Sequence, residues 1–149
     1  MTKNVFLIGT VAGIIGNLAK EIMAWIFYLL GLVEYAFCHF CAGVFISPHQ
    51  LREPLSVLIG MFMDYTVASF FGLICYYIYL MTGGGYHLLR GFGFGGLMFL
   101  VCYGVLSSLF SVVVHEPPLT VFFYLIPNLL YGLTMMAFIR WYAPYFQEL

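Results

Sequence analysis

The chain has 149 residues, of which 64% are hydrophobic, 20% aromatic and only 7% charged, and its mean hydropathy is +1.03. Soluble domains carry about 25% charged residues, so this composition excludes an ordinary soluble protein and specifies an integral membrane protein. A net charge of −1 supplies neither a basic patch nor an acidic tail. Nothing is therefore offered to nucleic acid, and the partners left are the lipid bilayer, other membrane helices, a homo-oligomeric copy or a small solute.

The first apolar run predicts a helix over residues 5–30, too long for a signal peptide and followed by no A-x-A-like cleavage site. Gly31 is its expected C-cap. At 3.6 residues per turn, Gly9, Gly13, Asn17, Lys20, Glu21 and Ala24 share one face, opposite Val11, Ile15, Leu18, Ile22 and Ile26. A charge facing lipid costs roughly 2.5–3.5 kcal/mol or more, so the small, polar face should meet protein or water.

Residues 32–46 are apolar but short for a span, and they carry Glu34 and His39. With Tyr35, Phe37, Phe40 and Phe45 they read as an interfacial or re-entrant helix. The polar loop 47–54 ends it. A second span follows over 55–81, with Glu53 and Pro54 as its start signal. Residues 82–90, with three consecutive glycines, make a turn before a third span over 91–114. The His-Glu-Pro-Pro run at 115–118 breaks the chain, and a fourth span covers 119–142, where Pro127 should kink the helix. The expected fold is thus a single all-α membrane domain over 1–149, a four-helix bundle with one extra short helix and no room for an extramembrane domain.

Lys3, Arg90 and Arg140 fall on one side and Arg52 on the other, which places both termini in the cytoplasm of a multi-pass cell-membrane protein. On that side Trp141, Tyr142 and Tyr145, with Tyr76, Tyr77 and Tyr79, should form an aromatic belt. A short duplication is visible, Glu53-Pro-Leu-Ser-Val recurring as Glu116-Pro-Pro-Leu-Thr-Val, each opening an even-numbered span.

The main candidate site is a polar layer near the membrane midplane, Asn17, Lys20, Glu21, Asp64 and Asn128. Counted from the outer helix ends, these residues lie about 15 Å deep at 1.5 Å per residue. One reading is a Lys20–Asp64 pair that fixes helix order. The other is a solute or proton site with Glu21 as a second carboxylate and Asn128 as a neutral ligand. A weaker cluster, His49, Glu53, His115 and Glu116, would meet on the outer face if the two outer loops are neighbours. Its residue types suit a divalent metal, but loop-separated ligands are a poor signal and helix-start carboxylates account for them, so no metal or other cofactor is assigned.

Small residues repeat at four-residue spacing as Gly9/Gly13, Gly60/Asp64/Ala68/Gly72 and Gly91/Gly95, a pattern of close helix packing. Gly91, Gly93 and Gly96 also match a dinucleotide fingerprint, but no strand precedes them and the stretch is a membrane helix.

Cys38-His-Phe-Cys41 on a four-span chain resembles the quinone-coupled thiol oxidoreductases of the DsbB and vitamin K epoxide reductase type. That resemblance implies redox chemistry at Cys38 and Cys41. Those families relay electrons through a second cysteine pair, whereas Cys75 and Cys102 are lone residues in separate helices. Taken whole, a glycine-rich first helix with a Lys and a later helix with Asp64-Tyr65 is similar to small four-span membrane proteins of Gram-positive bacteria, a resemblance that brings no known activity. The sequence leaves three classes open: a structural or accessory membrane subunit first, a small transporter or proton-handling protein second, and a thiol oxidoreductase third. Enzyme chemistry is not demonstrable from these residues.

Overall fold

The computed structural model describes residues 2–83, 85–105 and 116–147. Among them the regular structure is entirely helical: α1 (Thr2–Leu29), α2 (Phe37–Ala42), a 3₁₀ turn (Pro48–Gln50), α3 (Pro54–Thr82), α4 (His87–Phe99), a π-helical continuation (Leu100–Val105) and α5 (Pro118–Gln147). Four stretches are long and apolar enough to cross a membrane: Val5–Leu29, Pro54–Thr82, His87–Val105 and Pro118–Tyr142. The protein is an all-α, four-span membrane bundle with one additional short helix.

Local signals explain the helix ends. After α1, the Gly31 amide donates to the Tyr28 carbonyl and the Leu32 amide to the Phe27 carbonyl, both at 3.0 Å, closing a Schellman motif. Gly31 sits at φ 72°, a conformation that favours glycine. Pro54 opens α3 as expected, with Glu53 at the N-cap. At the other end of α3, Arg90 donates to the carbonyls of Thr82 and Gly83, placing a cation on the negative end of the helix dipole.

Two boundaries differ from the sequence reading. The helix expected over 32–46 is regular only over Phe37–Ala42, because the Gly31–Leu32 cap ends α1 in a turn and the Gly43 amide closes α2 on the His39 carbonyl. The third span starts at His87 rather than Gly91. Glycine disfavours helix interiors, but at Gly91 a Cβ would run into the Gly132 carbonyl, so interhelix packing outweighs the intrinsic preference. The rest of that span, 106–114, lies outside the described residues. The fourth span, α5, carries Pro127 in its interior, as the sequence reading has it.

The bundle is assembled on the predicted small-residue stripes. A Cβ on Gly9 would come within 2.6 Å of the Leu73 Cα, and one on Gly13 would strike the Ala68 carbonyl, so α1 and α3 lie backbone to backbone. These contacts fix an antiparallel register in which Asn17 falls opposite Asp64. Gly91 and Gly95 seat α4 on α5 in the same way, against Gly132 and Asn128. The two hairpins are therefore built alike but registered differently, since Asn128 itself lies against a glycine and Asp64 does not.

The α1 face read as small and polar is buried throughout, and Leu18, Ile22 and Ile26 opposite it are exposed to the lipid side. The aromatic belt needs correction. Tyr76 and Tyr79 are buried in the core with Met98, Tyr131, Met135 and Ile139, because they continue the i, i+4 stripe of Gly60, Asp64, Ala68 and Gly72; Tyr77 alone of that group is exposed. Trp141 and Tyr142 are exposed as expected, and the Tyr145 side chain lies outside the described residues.

Candidate functional site

The polar layer forms where α1, α3 and α5 meet. Lys20 lies on α1 one turn beyond Gly16, whose missing side chain admits the Tyr131 carbonyl of α5. Its ammonium Nζ donates to both Asp64 oxygens, at 2.6 Å to Oδ1 and 2.9 Å to Oδ2. Asn17, one turn earlier, donates through Nδ2 to Asp64 Oδ2 at 2.7 Å. That bond also fixes the amide orientation, because the nitrogen must face the carboxylate. Lys20 and Asn17 have no exposed surface and Asp64 retains 1%. The pairing read from helix depth is therefore present, and it is closed off from the molecular surface.

The short helix α2 completes the enclosure, which the sequence did not reveal. All six of its residues are buried, and the Cys38 carbonyl approaches α3 so closely at Gly60 that no Cβ would fit. This placement sets the Cys41 thiol against Asp64 Oδ1 at 3.7 Å and lays the Phe37 ring over the Lys20 ammonium, 4.8 Å from its centroid. Asp64 thus receives three side-chain donors, and Lys20 adds a cation–π contact to its ion pair. The segment read as an interfacial or re-entrant helix packs onto the bundle through Phe37 and Phe40, whose rings contact Tyr124, while Phe45 remains exposed.

Glu21 and Asn128 behave differently. Glu21 is almost fully buried, with the Trp25 indole and the Asp64 carboxylate beside its own carboxylate, yet neither oxygen is held in a hydrogen bond of good geometry. Asn128 donates through Nδ2 to the Tyr124 carbonyl one turn back, at 2.9 Å, and its Oδ1 has no partner; nor has Asn17 Oδ1. The Gly16–Tyr131 approach and the Phe27–Phe123 ring contact at 5.2 Å set the antiparallel register of α1 and α5. Between these contacts, Asn128 comes level with Lys20 and Glu21. The five residues assigned to the layer from sequence are all buried.

His39, the polar residue of α2, is enclosed by the rings of Trp25, Tyr28 and Tyr35, with centroids 5.5–5.9 Å away. Its Nδ1 lies 3.0 Å from the Ala36 amide nitrogen and 3.3 Å from the Ala36 carbonyl oxygen. Burial holds this imidazole below the ordinary histidine value, against a raising contribution from the Ala36 backbone. Burial also pushes the Cys38 thiol up to about 12, with the Glu21 and Asp64 carboxylates adding to the effect. A thiol held so far from its thiolate is a poor nucleophile.

Cys75 lies 3.2 Å from Met136 Sδ and Cys102 lies 3.6 Å from Met98 Sδ, so each is packed against a thioether. Of the outer cluster, His49 and Glu53 are exposed, Glu116 is half-buried and His115 lies outside the described residues. Among the described residues no three His, Cys, Asp or Glu side chains are grouped to hold a metal.

The fold and its buried polar layer define a small multi-span helical membrane protein with an intramembrane ion pair. Comparisons with protein-family models, curated proteins and solved structures gave no match.

Proposed function

We propose that this protein is a structural or accessory subunit of a cell membrane, with both termini cytoplasmic, whose helix order is fixed by the Lys20–Asp64 pair. The observation that carries this reading is the completeness of the pair: an ammonium and a carboxylate at 2.6 Å, with 0% and 1% exposure and a neighbouring Asn and Cys donating to the same carboxylate. A buried pair satisfied in this way selects one packing arrangement, because any other register of α1 on α3 strands two charges in hydrocarbon. Its partners are lipid, other membrane helices or a second copy of the chain.

The test is a double-mutant cycle on thermal stability in detergent, using Lys20→Met and Asp64→Leu. Either single change is expected to cost more than both together, and strict additivity would remove the pair as the organising interaction. Orientation is tested by impermeant thiol reagents, which should label Gln50→Cys from outside the cell and Gly85→Cys only from inside. The reverse pattern would overturn the topology. A second reading, a protein handling protons or a small solute through the same layer, draws on a separate observation, the unpartnered Glu21 carboxylate.

A further inference from the structure

We propose that Glu21, with Asn17 Oδ1 and Asn128 Oδ1, forms an acceptor-only site that takes one monovalent cation, a proton or an alkali ion. The proposal deepens the second reading above and is independent of the role given to the Lys20–Asp64 pair. Its first support is the chemistry of the orphaned atoms. The buried side-chain atoms without partners among the described residues are Asn17 Oδ1, Glu21 Oε1 and Oε2 and Asn128 Oδ1, all of them oxygens and all acceptors. A donor or a cation is what this layer lacks, and a further carboxylate or carbonyl would worsen it.

The second support is placement. Asn17 and Glu21 are four residues apart on α1 and so neighbour each other on one face, and the α1–α5 register brings the buried Asn128 to the same depth. Both amide nitrogens are already committed, to Asp64 and to the Tyr124 carbonyl, so neither amide can flip to offer Glu21 a donor, and the Trp25 indole one turn further along α1 lies beside the carboxylate without closing a hydrogen bond of good geometry.

Charge balance gives the valence. Lys20 supplies one positive charge to the layer, and Asp64 and Glu21 supply two negative ones. One added positive charge makes the layer neutral, whereas a divalent ion would leave an excess in a medium that stabilises none. The ionisable groups facing Glu21 are Lys20 on its own helix, Asp64 and Tyr65 on α3, and Cys38 and Cys41 on α2; α5 presents the neutral Asn128. Lys20 is already engaged by both oxygens of Asp64 and does not bond to Glu21.

The test uses the purified full chain in detergent and has two arms. In the first, thermal stability is measured against sodium, lithium and potassium at constant ionic strength with choline as the replacement ion. An alkali site gives a concentration-dependent rise in Tm that Glu21→Gln abolishes. In the second, infrared spectra at neutral pH are compared between protein with ordinary glutamate and protein with isotopically labelled glutamate. A proton site gives a carboxylic-acid C=O stretch that shifts with the label; Asp64 carries no label and cannot mimic it, and Glu21 is the buried glutamate among the described residues. This arm needs only the wild-type protein, so it holds even if Glu21→Gln fails to fold. Either positive arm supports the site and names its ion. Absence of both the alkali dependence and the protonated-glutamate band would overturn it, leaving Glu21 ionised and uncompensated.

Discussion

Asp64 and Glu21 are two carboxylates in one buried layer, and the fold treats them oppositely. Asp64 receives an ammonium, an amide and a thiol, drawn from α1 and α2, whereas Glu21, on the same helix as the ammonium, has the Trp25 indole and Asp64 beside it but no hydrogen bond of good geometry. Adjacency in sequence to Lys20 therefore did not decide which carboxylate was paired. Successive residues on a helix point about 100° apart, so Lys20 reaches across to α3 more readily than to its own neighbour. The lesson is that burial of charge in a membrane protein has two meanings, which separate only when partners are identified: a satisfied pair organises packing, and an unsatisfied group marks where something else must bind.

The largest way to sharpen this contrast is at the Asp64 end. Lys20→Met or Asp64→Leu alone should cost about 3–5 kcal/mol in thermal or denaturant unfolding, and the double change should be close to neutral. A double variant as unstable as the sum of the singles would erase the distinction between the two carboxylates.

Second in size is the packing that sets the register. Gly13→Val should destabilise the protein by about 1–3 kcal/mol or more, because its Cβ would strike the Ala68 carbonyl and the backbones of α1 and α3 would have to separate. The same separation should weaken the Lys20–Asp64 coupling measured in the cycle. An undiminished coupling would show that the pair forms without the glycine contact.

At the Glu21 end the expected cost is much smaller. Glu21→Gln and Glu21→Leu, measured at neutral pH without alkali ions, should lie within about 1 kcal/mol of wild type or be stabilising, since no hydrogen bond of good geometry is lost. A loss approaching that of Asp64→Leu would mean that Glu21 has a protein partner after all.

The smallest effects belong to α2, which covers the layer. Because burial holds His39 below its ordinary value of 6.5, the unfolded chain takes up the proton first as the pH falls through that value. His39 therefore leaves stability intact above 6.5 and lowers it as the pH drops further. Replacing His39 by Leu should flatten that acid-side slope in Tm, and an unchanged slope would assign it to another group. Cys38→Ser with Cys41→Ser should leave the fold intact, whereas dithiol-dependent quinone reduction lost in that double variant would restore the redox reading.

Much of this was legible in the chain. Four spans follow from hydrophobic length, a local property, since every backbone polar group in hydrocarbon must be satisfied within its own helix. The polar face of α1 follows equally directly, because a 3.6-residue period carries Gly9, Gly13, Asn17, Lys20 and Glu21 round to one side whatever they meet there. Even the Lys20–Asp64 pairing could be read from counted depth, as both residues lie a fixed rise from a helix end marked by Gly31 or Pro54.

What the tertiary structure alone decided are the contacts perpendicular to the helix axes. The helical interior position of Gly91 and the folding of α2 onto Gly60 both depend on which backbone approaches which. Those approaches involve residues tens of positions apart, and a hydrophobic segment of six residues carries no local signal of whether it lies on the bundle or inside it. The same holds for the two carboxylates. Sequence determined that Asp64 and Glu21 share a depth, but only the lateral register of α1 against α3 and α5 gave one of them its donors and left the other without a hydrogen bond of good geometry.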